Sequence, residues 1–112
     1  MGLRVATLEA RVEQLQRLVR AADFALMALL VAVIGIGVRF SVDAVMEAVN
    51  VEREQGSSTL ADAIRAAVGR GDQRIRLGLW LAARQEDPIG RVRTRKVGAT
   101  DQHSGLYELI DA

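Results

Sequence analysis

Apolar residues recur along the first 40 positions of the chain at alternating spacings of three and four. This spacing is typical of a heptad repeat, which places one apolar seam along a single helix. We therefore expect a long N-terminal helix that self-associates as a parallel homo-oligomer, either a dimer or a larger bundle. The predicted oligomer seam consists of Val5, Leu8, Val12, Leu15, Val19, Leu26, Leu29, Val33 and Ile36.

Polar residues disappear from the middle of this helix. Residues 24–38 carry no charge. As a helix they would be about 22 Å long, which is shorter than the hydrocarbon core of a bilayer at about 30 Å. Extending the segment to residues 21–42 would make it long enough for a single transmembrane span, with Arg39 reaching toward the headgroups.

Small residues form a second stripe on the same helix, beside the seam. Glycine is frequent in transmembrane helices, and small residues let such helices approach closely. The predicted packing stripe consists of Ala25, Ala28, Ala32 and Gly35. More arginines precede the span than follow it closely, so the positive-inside rule places the N-terminus in the cytoplasm of a single-pass membrane protein.

Shorter helical patterns follow the stem. An apolar stripe continues to Glu54, the sequence 55–58 is a break, and a second stripe covers residues 60–68. Asp72 can cap a further helix of about residues 73–86, although the alternation over 74–77 also resembles a strand. We therefore predict an all-α fold with three parts: a coiled-coil and transmembrane stem over 1–55, a short helical region over 56–88, and a C-terminal tail over 89–112.

The tail contains a cluster of positive charge and ends in an apolar patch over residues 106–110. The cluster could contact phosphate groups of lipid or nucleic acid, but no aromatic residues are interleaved with it, so nucleic acid is not the expected partner. A solvated or neighbour-paired strand is the simpler alternative. The cluster consists of Arg91, Arg93, Arg95 and Lys96.

Composition removes most enzymatic chemistry. The 112-residue chain has no cysteine, a net charge of +1 and a single histidine, His103. No second residue completes a catalytic triad or a metal cluster with this histidine, and no glycine-rich phosphate loop follows a predicted strand. We expect no catalytic residues, no metal, no cofactor and no small-molecule substrate.

Two functions remain from this sequence. The first is a self-associating, single-span membrane protein that acts as an oligomeric structural component in a lipid bilayer. Its order of zipper and span is similar to that of single-span phage holins, although no specific motif is shared. The alternative is a soluble helical assembly subunit, for example of a virion, in which residues 24–38 are buried between copies.

Overall fold

The computed structural model describes residues 21–99 and 105–112 of the chain. These residues form four helices and a three-stranded antiparallel sheet. In chain order they are helix α1 over residues 21–33, strand β1 (Phe40–Ser41), helices α2 (Val42–Glu54), α3 (Thr59–Val68) and α4 (Gln73–Ala83), and strands β2 (Val92–Ala99) and β3 (Gly105–Asp111).

The sheet has the strand order β1-β3-β2, so the C-terminal strand β3 lies in its centre. Phe40 of β1 is paired with Tyr107 of β3, and their rings are 6.3 Å apart. Thr94 of β2 is paired with Leu109. A register irregularity between Lys96 and Gly98 bends the outer strand β2. The last strand therefore connects β2 to the segment that follows α1.

One hydrophobic core joins the helices to the sheet. Each of α2, α3 and α4 contributes side chains at helical spacing, while β3 contributes alternate residues. This is the pattern of helices packed on one face of an antiparallel sheet. The most completely buried apolar residues are Leu26, Leu30, Val45, Val49, Leu60, Ile64, Leu77, Leu81 and Leu109.

Local sequence signals explain the helix boundaries. The Ser41 hydroxyl accepts a hydrogen bond from the amide of Ala44 and caps α2, while Asp72 accepts from the amides of Arg74 and Ile75 and caps α4. Helices α2, α3 and α4 lie where the sequence predicts them. The competing interpretation of residues 74–77 as a strand is wrong.

The predicted long stem is wrong within the described residues, because α1 ends at Val33. Gly35 and Gly37 have φ angles of 100° and 77°, a backbone region that glycine adopts without steric cost. They turn the chain so that the Gly37 amide donates to the carbonyl of Leu109 and Phe40 enters the sheet. The heptad spacing continues through this turn, but the helix does not.

This turn also contradicts the membrane interpretation. The predicted span over residues 21–42 contains a helix, a turn and a strand, which is incompatible with one bilayer-crossing helix. Within residues 21–99 and 105–112, no helix combines the length and hydrophobicity that a crossing requires. The single-pass membrane location and its cytoplasmic N-terminus depended on that span and are wrong with it.

The predicted all-α class and its C-terminal tail are also wrong. Residues 92–99 and 105–111 pair as β2 and β3, and Tyr107 and Leu109 of the supposed tail are buried in the core. The charges on β2 concealed its alternation, in which Thr94 points inward between two arginines. The described chain is a mixed α/β domain, and not a helical coiled coil.

Candidate interaction surface

A buried polar contact fixes the orientation of α1. The indole Nε1–H of Trp80 donates to the Asp23 carboxylate at 2.9 Å. The guanidinium of Arg84 lies 3.4 Å from the other oxygen of that carboxylate and 5.3 Å from the centre of the Trp80 ring. Because both groups belong to α4 and its C-cap, α1 is held with the Asp23 side toward the core.

This orientation divides α1 into an inner and an outer side. Leu26, Met27 and Leu30 share the inner side with Asp23 and are buried. Of the predicted oligomer seam, Leu26 is therefore in contact with the core of its own chain, while Leu29 is half-buried against it. Val33 and Ile36 are 47% and 45% exposed. The structure does not place these four residues on one free surface.

The predicted small-residue stripe lies on the opposite side. Ala25, Ala28 and Ala32 are exposed and follow one another at spacings of three and four, so they occupy one face of α1. Gly35 of the same stripe lies beyond the helix, in the turn, and is half-buried. We define the α1 outer face as these three alanines together with Phe24, which is 53% exposed beside them.

An apolar cleft continues the α1 outer face toward the hairpin. It has a volume of about 350 Å³ and lies between α1 and the start of β2. The ring of Phe24 forms part of its wall and lies so close to Gly90 that a Cβ atom there would be 3.3 Å from the ring. The other apolar lining residues are Met27, Ala28, Val31, Ile89 and Val92.

The remaining predicted seam residues, Val5, Leu8, Val12, Leu15 and Val19, lie outside the described residues. Their role in self-association stays a prediction, as does that of the seam as a whole. The heptad residues of α1 that the structure describes follow the spacing of an amphipathic helix packed in its own domain, which is the simpler interpretation of such a pattern.

The basic cluster does not form a single cationic patch. Arg95 donates to the Glu108 carboxylate at 2.8 Å, and Arg39 approaches the same carboxylate at 3.5 Å. The hydrogen bond and charge of Arg95, supported by Arg39, lower the pKa of Glu108 below its usual range. Lys96 follows Arg95 directly on the strand, so the two side chains point to opposite sides of the sheet. Phosphate contact by this cluster stays a prediction.

Catalytic and metal-binding arrangements are not evident in the described residues. Across residues 21–99 and 105–112, no group of three histidine, cysteine, aspartate or glutamate side chains is placed to hold a metal ion. His103 lies outside these ranges. The apolar α1 outer face and its cleft are therefore the most distinctive surface for a function of this chain.

Sequence reasoning missed the Asp23 contact that sets up this surface. Asp23 is the only charged residue between Arg20 and Arg39, and Trp80 is the only tryptophan. A lone carboxylate at the edge of an apolar helix must find a donor if that helix is buried, and an indole is a natural candidate. The sequence shows this need but not which donor meets it.

Comparison with known proteins adds no relative. No protein-family model, no curated protein and no solved structure matches this chain. The functional argument therefore depends on the residues of the chain itself.

Proposed function

We propose that this chain is a non-enzymatic structural subunit that self-associates and buries the uncharged outer side of residues 24–38 between copies. The observation that carries the proposal is the α1 outer face. A helix at the surface of a protein normally has charged or polar residues on its solvent side. On α1 that side instead has three alanines and a half-exposed phenylalanine.

The shape of this face suits another copy of the same helix. Alanines at Ala25, Ala28 and Ala32 leave a shallow groove without side chains that would hold a partner helix away. The neighbouring cleft beside Phe24 and Val31 provides a depression for a larger apolar side chain. Exposed apolar surface of this kind commonly marks an interface between proteins.

The partner is taken to be a second copy because the apolar pattern starts in the sequence before α1. The heptad positions from Val5 to Val19 favour self-association and lead directly into the helix. Neither a substrate nor a cofactor is needed for this role. The function is therefore assembly, with the chain contributing a surface and no chemistry.

The proposal is tested by the mass of the protein in solution. We expect sedimentation equilibrium of the full chain to give an oligomer, and Ala28→Arg to lower its association constant by at least tenfold. The control is Ala66→Arg, which makes the same change at an exposed alanine of α3. A monomeric wild type, or equal association of the two variants, would contradict the proposal.

A further inference from the structure

A second apolar stripe lies on the solvent side of α4. Leu79 and Ile75 are the most exposed large hydrophobic side chains in the described part of the chain, at 67% and 63%. They are four residues apart and thus on one face of the helix, and the exposed Ala82 continues that face by one turn. We define these three residues as the α4 stripe.

The α4 stripe is not used by the fold of its own chain. The buried side of α4 consists of Leu77, Trp80 and Leu81, which point in the opposite direction. Arg74 on the helix flank pairs with Asp43 of α2. Two large aliphatic side chains with more than three-fifths of their surface in water are unfavourable for a solitary domain.

The charges beside the stripe are arranged with opposite sign at its two ends. Arg74 and Arg76 lie in the first turn of α4, and Glu86 and Asp87 follow its last turn. Glu86 is exposed and makes no ion pair with the described residues. A second α4 in antiparallel orientation would bring the acidic end of one helix to the basic end of the other, at both ends of the contact.

We propose that α4 packs antiparallel against α4 of a second copy across a two-fold axis near Leu79. A two-fold contact uses the same patch on both subunits, so the patch must be complementary to itself. The α4 stripe meets this condition, because its apolar centre faces itself and its charged ends exchange. A parallel arrangement would instead place like charges together and is disfavoured by the same residues.

This contact differs from the surface assigned to the proposed function, and its consequence for assembly size depends on that function. The inner sides of α1 and α4 meet at the Asp23–Trp80 hydrogen bond, so their outer sides point away from each other. One copy can therefore use the α1 outer face and the α4 stripe at the same time. Two self-contacts on each subunit produce an assembly larger than a dimer.

The cysteine-free chain allows a direct test of orientation by disulfide crosslinking. In the antiparallel contact, Ile75→Cys on one copy lies near Ala82→Cys on the other. We expect a mixture of these two single variants to crosslink at least fivefold more than either variant alone. Crosslinking of Ile75→Cys mainly with itself would indicate a parallel contact and overturn the proposal.

Sedimentation separates this inference from the proposed function. Leu79→Lys is expected to lower the association constant at least tenfold relative to Val51→Lys, the same change at an exposed valine of α2. Equal association of these two variants overturns the α4 contact, whatever Ala28→Arg does. A response to Leu79→Lys without one to Ala28→Arg supports the α4 contact and removes the α1 outer face. Circular dichroism confirms that each variant is folded.

Discussion

The indole of Trp80 donates a hydrogen bond to the carboxylate of Asp23 at 2.9 Å, joining α1 to α4 across 57 positions of the chain. Both groups are largely buried. The same carboxylate lies 3.4 Å from Arg84, whose guanidinium also approaches Asp87. This small network is the polar attachment of an otherwise apolar helix, and it determines which side of α1 is left in contact with water.

Removing the carboxylate is expected to destabilise the fold strongly. In Asp23→Ala the Trp80 N–H and the Arg84 guanidinium would lose their acceptor inside the protein, which costs on the order of 3 kcal/mol of unfolding free energy. Asp23→Asn keeps an acceptor for Trp80 and should lose less. Urea denaturation followed by Trp80 fluorescence measures both. A loss below about 1 kcal/mol in Asp23→Ala would show that the network is solvated.

A buried hydroxyl joins β2 to α4 in a similar way. The Thr94 side chain donates to the carbonyl of Leu81, and Thr94 is fully buried. Thr94→Val keeps the shape but removes the donor, so we expect a loss of about 1 kcal/mol. Thr94→Ser keeps the donor but loses a methyl group, and serves as the control. Equal denaturation midpoints for Thr94→Val and wild type would contradict the role of this bond.

The Glu108 ion pairs predict a specific pH dependence. Because Arg95 and Arg39 lower the pKa of Glu108 on folding, the unfolded chain binds more protons here than the folded chain. Their contribution is complete above the usual glutamate pKa of about 4.3. It is lost as the pH falls through the lower value of the folded state.

Thermal unfolding of Glu108→Gln measures this contribution. We expect its Tm to be below that of wild type at pH 7, and the difference to shrink as the pH is lowered into the acid range. Glu47→Gln, on the exposed side of α2, is the control. A difference between Glu108→Gln and wild type that stays constant from pH 7 to acid pH would mean that the carboxylate charge does not matter.

The sequence predicted the fold best where one short helix packs with one face. Val45 and Val49 of α2, and Leu60 and Ile64 of α3, are at the spacings from which those helices were inferred. Hydrophobic periodicity is informative there because each stripe has a single buried face and a clear boundary. Asp72 shows the same for a capping residue, whose preference is set by local backbone amides.

The strands could not be predicted in the same way. Strand β2 is half charged, and Glu108 neutralises part of that charge only because β3 lies beside it at the matching register. That pairing is a contact of the tertiary structure, and the sequence of either strand alone does not contain it. The apolar residues of β3 were visible, but their central place in the sheet depends on β1, which is two residues long.

The interaction surface was predicted in part. The alanines at Ala25, Ala28 and Ala32 were recognised as a packing stripe, and they are exposed on one face of α1. The seam beside them includes Leu26, which is buried in its own domain. Spacing alone cannot distinguish these outcomes, since an oligomer seam and a core-facing stripe have the same helical period. The position of Asp23 decided which side turned inward.

The turn after α1 gives the last prediction, because it is the feature that most changed the interpretation of the sequence. Gly37 has a φ of 77°, and a Cβ atom there would meet nothing within 4 Å. Gly37→Ala therefore tests the backbone conformation alone, and we expect a loss of about 1–2 kcal/mol. The control is Gly78→Ala within α4, where a Cβ would lie 3.8 Å from Val42, an ordinary contact. Alanine favours a helix interior, so Gly78→Ala should gain about 0.5–1 kcal/mol. Chemical denaturation of both variants gives the two values. If Gly37→Ala also gained stability, residues 34–39 would be helical in solution and the turn that brings Phe40 to Tyr107 would be wrong.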